Sequence, residues 1–215
     1  MTDWFRFTNS KSPIAVLLFF FTAFSIHADV LTVPSASYPT IQSAVDAASG
    51  NDEIVVEQGT YSENLVIEGE SRNGPITLRS TNPEDPSIAT TTVIDGGEKG
   101  TVIGIYAPLG NDLTISGLTI TNGNSQIGGG IYCHDCSTTI SRNIIRKNTA
   151  TTGGGVYAAK AIIKNNLIME NEAVNGGGVA GENGVGEQRK ISGNKISLNQ
   201  ASENGGGLYR CTYIS

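Results

Sequence analysis

From Ile115 to Tyr209 the apolar residues come in runs of three to six, each broken by glycine or asparagine, and the breaks themselves recur. Gly128-Gly129-Gly130-Ile131-Tyr132 is followed by Gly153-Gly154-Gly155-Val156-Tyr157, Gly176-Gly177-Gly178-Val179-Ala180 and Gly205-Gly206-Gly207-Leu208-Tyr209. Between the triplets a second pattern keeps register: Ile140, Asn143, Ile145, Asn148 and Ala150, then Ile163, Asn166, Ile168, Asn171 and Ala173, then Ile191, Asn194, Ile196, Asn199 and Ala201. Apolar runs this short suit strands and leave no room for a helix of ten or more residues. A unit of this length, repeated and built from strands, predicts a parallel β-helix with three strands per coil.

Stacked coils turn each column of the repeat into a physical ladder with a step of about 4.8 Å. Ile131, Val156, Val179 and Leu208 then face the core, as do Ile145, Ile168 and Ile196. Asn143, Asn166 and Asn194 are placed at a bend, in the left-handed backbone that asparagine tolerates, with their amides hydrogen-bonded along the column. Asn148, Asn171 and Asn199 form a second such ladder. The residue after each inward aliphatic points out, so Tyr132, Tyr157 and Tyr209 share a surface column interrupted by Ala180.

Upstream, Thr40 to Ser49 places Ile41, Ala44, Val45 and Ala48 on one helical face, with Gly50 as the stop. A short amphipathic helix here caps the open first coil, which would otherwise expose its core and unpaired backbone. Strands are expected at 53–56, 64–67 and 76–79, then at 91–94 and 101–106 after a loop marked by Asn82-Pro83 and Asp85-Pro86. Residues 113–122 make the first recognisable rung, with Leu118 where asparagine stands later.

The first 28 residues read as a secretory signal peptide. Arg6 and Lys11 precede an apolar run from Pro13 to Phe24, and Ala28 offers a small residue for cleavage before Asp29. The run is shorter than the roughly 20 residues of a membrane span, so the mature chain, 29–215, is expected to have none. Losing Arg6 and Lys11 takes the 14 basic residues to 12, and losing Asp3 takes the 20 acidic ones to 19. A secreted chain of net charge −7 lacks the clustered basic face of a nucleic-acid binder. It also repels anionic polymers unless calcium bridges the charges; no other cofactor is expected.

The repeats resemble the right-handed parallel β-helix proteins of the pectin-lyase-like superfamily, especially exported bacterial proteins with GGGIY and N.I..N.A repeats. They are similar, more distantly, to the repeats of polymorphic outer-membrane and autotransporter passenger proteins. The stretch from Tyr38 to Ile67 resembles the opening of pectinesterases, where it serves as scaffold. The resemblance implies an all-β, single-stranded right-handed β-helix with an N-terminal capping helix. It implies no catalytic residue: the Gln-Asp and Asp-Phe dipeptides of pectinesterases do not occur, and Arg142, Arg146, Arg189 and Arg210 sit in no pectate-lyase motif. Nor do the repeats bring paired acids into register as polygalacturonases do; Asp135 and Glu182 are the acids nearest the first turn of a rung.

Two further features carry candidate chemistry. Cys133-His134-Asp135-Cys136 combines thiols with an imidazole and a carboxylate, but structural zinc needs a second ligand pair. A local disulfide or two thiols packed as small apolar groups is expected instead, with Cys211 left odd. The third repeat carries an insertion, 181–190, containing Glu182, Glu187 and Arg189, and insertions in repeat proteins often line the binding face. The chain ends without the cap a repeat array needs and is read as C-terminally incomplete. The sequence therefore predicts an exported scaffold binding polysaccharide or cell-surface glycan through Tyr132, Tyr157 and Tyr209, helped by Glu182, Glu187 and Arg189. The alternatives are a polysaccharide lyase or hydrolase whose catalytic residues lie beyond residue 215 or in the 181–190 loop, a structural passenger of an adhesin with a membrane barrel or anchor encoded downstream, and tyrosines that serve only as strand residues stacking on each other.

Overall fold

Successive short strands can bury their apolar side chains only by stacking, and the computed structural model shows them doing so as a single-stranded parallel β-helix. It describes residues 28–68, 74–106, 113–133, 136–182 and 190–211. Residues 1–27 of the expected leader, Asp135, Glu187 and Arg189 lie outside them. Among the described residues every strand pairing is parallel, and the strands fall into four sheets running along the rod.

The first face holds seven strands, Val30–Val33, Glu53–Val56, Ile76–Ser80, Leu113–Ser116, Thr138–Ser141, Ile162–Lys164 and Lys190–Ser192. The second holds six, Gly59–Tyr61, Thr92–Asp95, Thr119–Thr121, Ile144–Arg146, Leu167–Met169 and Lys195–Ser197. A third face of four, Asn124–Ile127, Thr149–Thr152, Glu172–Asn175 and Gln200–Asn204, appears only in the later coils. The fourth holds six, Leu65–Glu68, Ile103–Tyr106, Ile131–Cys133, Val156–Ala158, Val179–Gly181 and Leu208–Tyr209. Three strands per coil was thus an undercount. The extra strand is polar outside and small inside, with Ala150, Ala173 and Ala201 aligned, so its apolar content gives no strand signal.

The predicted columns are present. Ile115, Ile140, Ile163 and Ile191 stack on the first face, Ile120, Ile145, Ile168 and Ile196 on the second, and Ile103, Ile131, Val156, Val179 and Leu208 on the fourth. These residues belong to one core that continues to Leu31 and Val33. Burying each such aliphatic is worth roughly 1.5–3 kcal/mol, and the rod gains it only as neighbouring coils assemble.

The asparagines differ from expectation in one respect. The left-handed residue at each bend is the one before the asparagine: Arg142 (φ 57°), Asn165 (57°) and Gly193 (63°) in one column, Lys147 (55°), Glu170 (57°) and Leu198 (58°) in the other. The asparagine turns its amide into the wall instead. Asn143 and Asn166 are 1% and 2% exposed. Asn166 Nδ2 donates to Ile140 O and to Asn194 Oδ1, both at 2.9 Å, while Asn166 Oδ1 accepts from the backbone and side-chain N–H groups of Asn143. Asn148, Asn171 and Asn199 repeat this arrangement. Polar groups at a bend, where no sheet continues, are thereby satisfied without water.

The glycine triplets have two separate causes. Their first members need a left-handed backbone, as at Gly153 (φ 71°). In the first three triplets the third leaves no room for a side chain: a Cβ on Gly130 would lie 2.5 Å from Gly155 O in the next coil.

Helix α1, Ile41–Ala47, begins at Thr40, whose hydroxyl accepts from Ser43 N while Ser43 Oγ accepts from Thr40 N. It buries Ile41, Ala44 and Val45 in the core. It ends in the extended residue Ala48 rather than at Gly50. Helix α2, Pro86–Thr91, lies where a loop and the start of a strand were expected. Asp85 caps it and Pro86 opens it, and the Ser87 hydroxyl and backbone N–H hold the Asp85 carboxyl below the usual carboxylate range. α2 lies outside the rod, where Ala89 O accepts from the buried Thr119 hydroxyl.

Candidate functional site

On the fourth face the alternation that sends Ile103, Ile131, Val156 and Val179 inward sends every second residue out. The outward column in register runs Val66, Gly104, Tyr132, Tyr157, Ala180 and Tyr209. The Tyr132 and Tyr157 rings lie 5.8 Å apart with planes within 12° of parallel. Stacked side chains at a strand spacing near 4.8 Å fall naturally into this geometry. Each ring is half-buried, one face against its neighbour.

The column is longer than the repeat alone indicated. Gly104 occupies the tyrosine position one coil earlier, and the ring of Tyr106 folds back over it: a Cβ on Gly104 would lie 2.6 Å from Tyr106 Cε2. Tyr106 thus fills the missing place, its centroid 5.4 Å from that of Tyr132 and tilted by 40°. Sequence reading missed Tyr106 because it stands two residues out of register; the signal was the side-chain-free Gly104 in the tyrosine column. Three rings in consecutive coils therefore form one aromatic strip, with Tyr106 its most exposed member at 45%.

Toward the later coils the strip is interrupted as expected at Ala180, which has no exposed surface, so the interruption is a covered step and not an open slot. Beyond it Tyr209 lies under Arg210, whose guanidinium carbon is 4.8 Å from the ring centroid, a cation–π distance. Glu182 follows the strand Val179–Gly181 directly, so it lies at the margin of the same face as the strip. Glu187 and Arg189 fall outside the described residues.

The other candidate groups are dispersed. Arg142 Nε pairs with Glu84 Oε2 at 3.0 Å on an exposed bend, and Arg146 lies on the second face. Cys133 and Cys136 are joined as a disulfide and fully buried in the core, while Cys211 is partly buried, its thiol donating to Tyr209 O at 3.3 Å. Among the described residues no three His, Cys, Asp or Glu side chains converge as a metal site would require. No helix among them is long and apolar enough to cross a membrane.

The exposed ring of Tyr106 and the solvent-accessible margin of the stacked pair offer an apolar surface to a ligand. Comparison with protein-family models, curated proteins and solved structures finds no match for the chain.

Proposed function

We propose that this is an exported, cell-surface or extracellular binding scaffold, related to the pectin-lyase-like superfamily, whose tyrosine strip holds the apolar faces of sugar rings in a polysaccharide or surface glycan. The observation that carries the reading is the parallel stack of Tyr132 and Tyr157 extended by the tilted, exposed ring of Tyr106. Pyranose rings present C–H faces that pack on aromatic surface such as the exposed Tyr106 ring, and a strip running over three coils matches an extended chain better than a small isolated ligand. The Arg210 guanidinium over Tyr209 adds a cationic end to the same face, and Glu182 adds a hydrogen-bond acceptor at its margin. Rigid aromatic side chains also lose little conformational freedom on binding, which favours them at recognition surfaces.

The test is a panel of immobilised polysaccharides and glycans probed with the processed chain and with a Tyr132→Ala/Tyr157→Ala double variant. Binding by the parent that falls at least tenfold in the double variant supports the strip as the site. Binding that survives unchanged removes the aromatic part of the reading. Shortening of a bound polymer during the assay replaces the scaffold by a lyase or hydrolase.

A further inference from the structure

At the point where the expected leader meets the mature chain, the backbone N–H of Asp29 donates to Asp52 Oδ1 at 2.9 Å. The Asp52 side chain belongs to a residue only 4% exposed, and its Oδ2 accepts from the Ser49 N–H at 2.8 Å and the Ser49 hydroxyl at 3.1 Å. Asp29 O accepts from Glu53 N at 2.9 Å, so Asp29 is fixed on both sides as the chain enters the strand Val30–Val33. Ala28 and Asp29 are themselves exposed. Three neutral donors, two of them backbone N–H groups, thus reach both oxygens of a side chain that carries a buried charge where the mature chain is expected to begin.

We propose that Asp52 is the receptor for the α-ammonium group released when the bond between Ala28 and Asp29 is hydrolysed, so that removal of the leader locks the first coil. This rests on the exported reading above. Water adds across the amide, Ala28 departs as a carboxylate, and the Asp29 nitrogen becomes an ammonium. That nitrogen already stands at hydrogen-bond distance from the carboxylate, so processing converts an amide-to-carboxylate bond into an ion pair with no heavy atom displaced. Burial pushes the Asp52 carboxyl up, but the backbone N–H groups of Ser49 and Asp29 and the Ser49 hydroxyl together bring it below its ordinary value, so it is anionic when the ammonium arrives. The remaining charged groups around it are engaged elsewhere or exposed. Glu53, next along the strand, binds Arg79 at 2.7 Å, Asp46 on α1 accepts from Gln42 Nε2 at 2.6 Å, and the Asp29 carboxylate itself lies on an exposed residue.

An opposite charge at this distance raises the α-amino pKa above its ordinary value of about 7.7–8.0. The lock is therefore at full strength below about pH 7.7 and is lost as pH rises through the higher folded value. Two chains are compared, one beginning at Asp29 and one carrying a Gly-Ser-Ala extension before Asp29, each with Asp52 and with Asp52→Asn. At pH 6 the Asp29-initiated chain is expected to melt roughly 2–5 °C above the extended chain. That gap closes in Asp52→Asn and at pH 10. The Asp29 α-amino group, followed by 15N NMR titration, is expected to titrate about one unit or more above its ordinary value. Equal melting of the two chains together with an ordinary α-amino pKa overturns the lock. Should Asp52→Asn fail to fold, the titration of the parent chain decides alone. N-terminal sequencing of the chain recovered from an exporting host tests the other half separately: a chain that keeps its leader sinks the export reading, a processed terminus other than Asp29 overturns the lock, and the melting and titration series judges Asp52 as receptor for the ammonium.

Discussion

Asn143 delivers both its backbone N–H and its side-chain amide to a single oxygen, Asn166 Oδ1, at 2.9 and 3.2 Å. One side chain in the upper coil thus closes the bend of the coil below while its own amide reaches the carbonyl of Ile140. Each asparagine is at once the cap of one turn and the donor to the next.

Replacing Asn166 by alanine leaves two buried donors of Asn143 and the carbonyl of Ile140 without this partner. With an unsatisfied buried group costing about 1–3 kcal/mol, and the losses not fully additive, Asn166→Ala is expected to destabilise by about 2–4 kcal/mol in urea unfolding. Asn204, whose exposed amide reaches Asn175 Oδ1 at 2.7 Å, serves as the control, with Asn204→Ala expected to stay within about 1 kcal/mol. Equal losses at the two positions would show that burial of the ladder is not what makes it matter.

Gly155→Ala places a methyl group 2.5 Å from Gly178 O and 3.0 Å from Asn171 Nδ2. A backbone oxygen in the adjacent coil cannot give way without parting the strands, so this variant is expected to be recovered unfolded or with a loss above about 3 kcal/mol. At Gly59 the same change meets only the Tyr61 ring at 3.4–3.5 Å, ordinary contact, and Gly59→Ala is expected to fold with near-parental stability by circular dichroism melting.

The strip on the fourth face allows a test that avoids truncating the stacked rings. Gly104→Ala puts its Cβ where Tyr106 Cε2 now lies, 2.6 Å away, and must displace that ring from Tyr132. The expected outcome is loss of the pair interaction, about 0.5–1.5 kcal/mol of stability, together with weaker binding to long polymers in the glycan panel. Unchanged binding by Gly104→Ala, with Tyr132→Ala still defective, would confine the contact surface to the two parallel rings.

Acid should act on the first coil through Asp52. Hydrogen bonds from Ser49 and Asp29 hold its folded-state pKa below the ordinary carboxylate value despite burial. Its contribution is therefore present above about pH 4, the unfolded value, and is lost as pH falls through the lower folded value. Urea midpoints measured from pH 7 to pH 2 are expected to fall less steeply below pH 4 in Asp52→Asn than in the parent. Parallel curves would show that Asp52 titrates alike in both states.

Much of this architecture could be read from the chain because one period governs every level of it. Ile145, Ile168 and Ile196 hold register in the sequence and stack in space for the same reason, that each coil meets only its neighbours. Where the reading slipped, two requirements competed for one residue. Asn143 has the type that favours a left-handed bend, but its amide is needed in the wall, so Arg142 takes the strained backbone. Thr149–Thr152 escaped the count of three strands per coil because its inward residue is only Ala150. The capping pair Asp85-Pro86 announced α2 and was taken for a loop. Tyr106 was invisible for a different reason: its place in the strip depends on a ring bending back over Gly104, which spacing along a strand does not encode. Tyr132, Tyr157 and the break at Ala180 followed directly from alternation, whereas Glu187 and Arg189 lie outside the described residues.

Between Asn143 and Asn166 the chain completes its circuit in 23 residues, and between Asn166 and Asn194 in 28, yet both circuits close with matching bonds to the next asparagine. Contour length and axial rise are uncoupled here. The longer circuit leaves the bonds between successive asparagines unchanged, so a foreign peptide spliced into such a circuit would be displayed at a fixed height, like a rung label on a ruler whose graduations do not move.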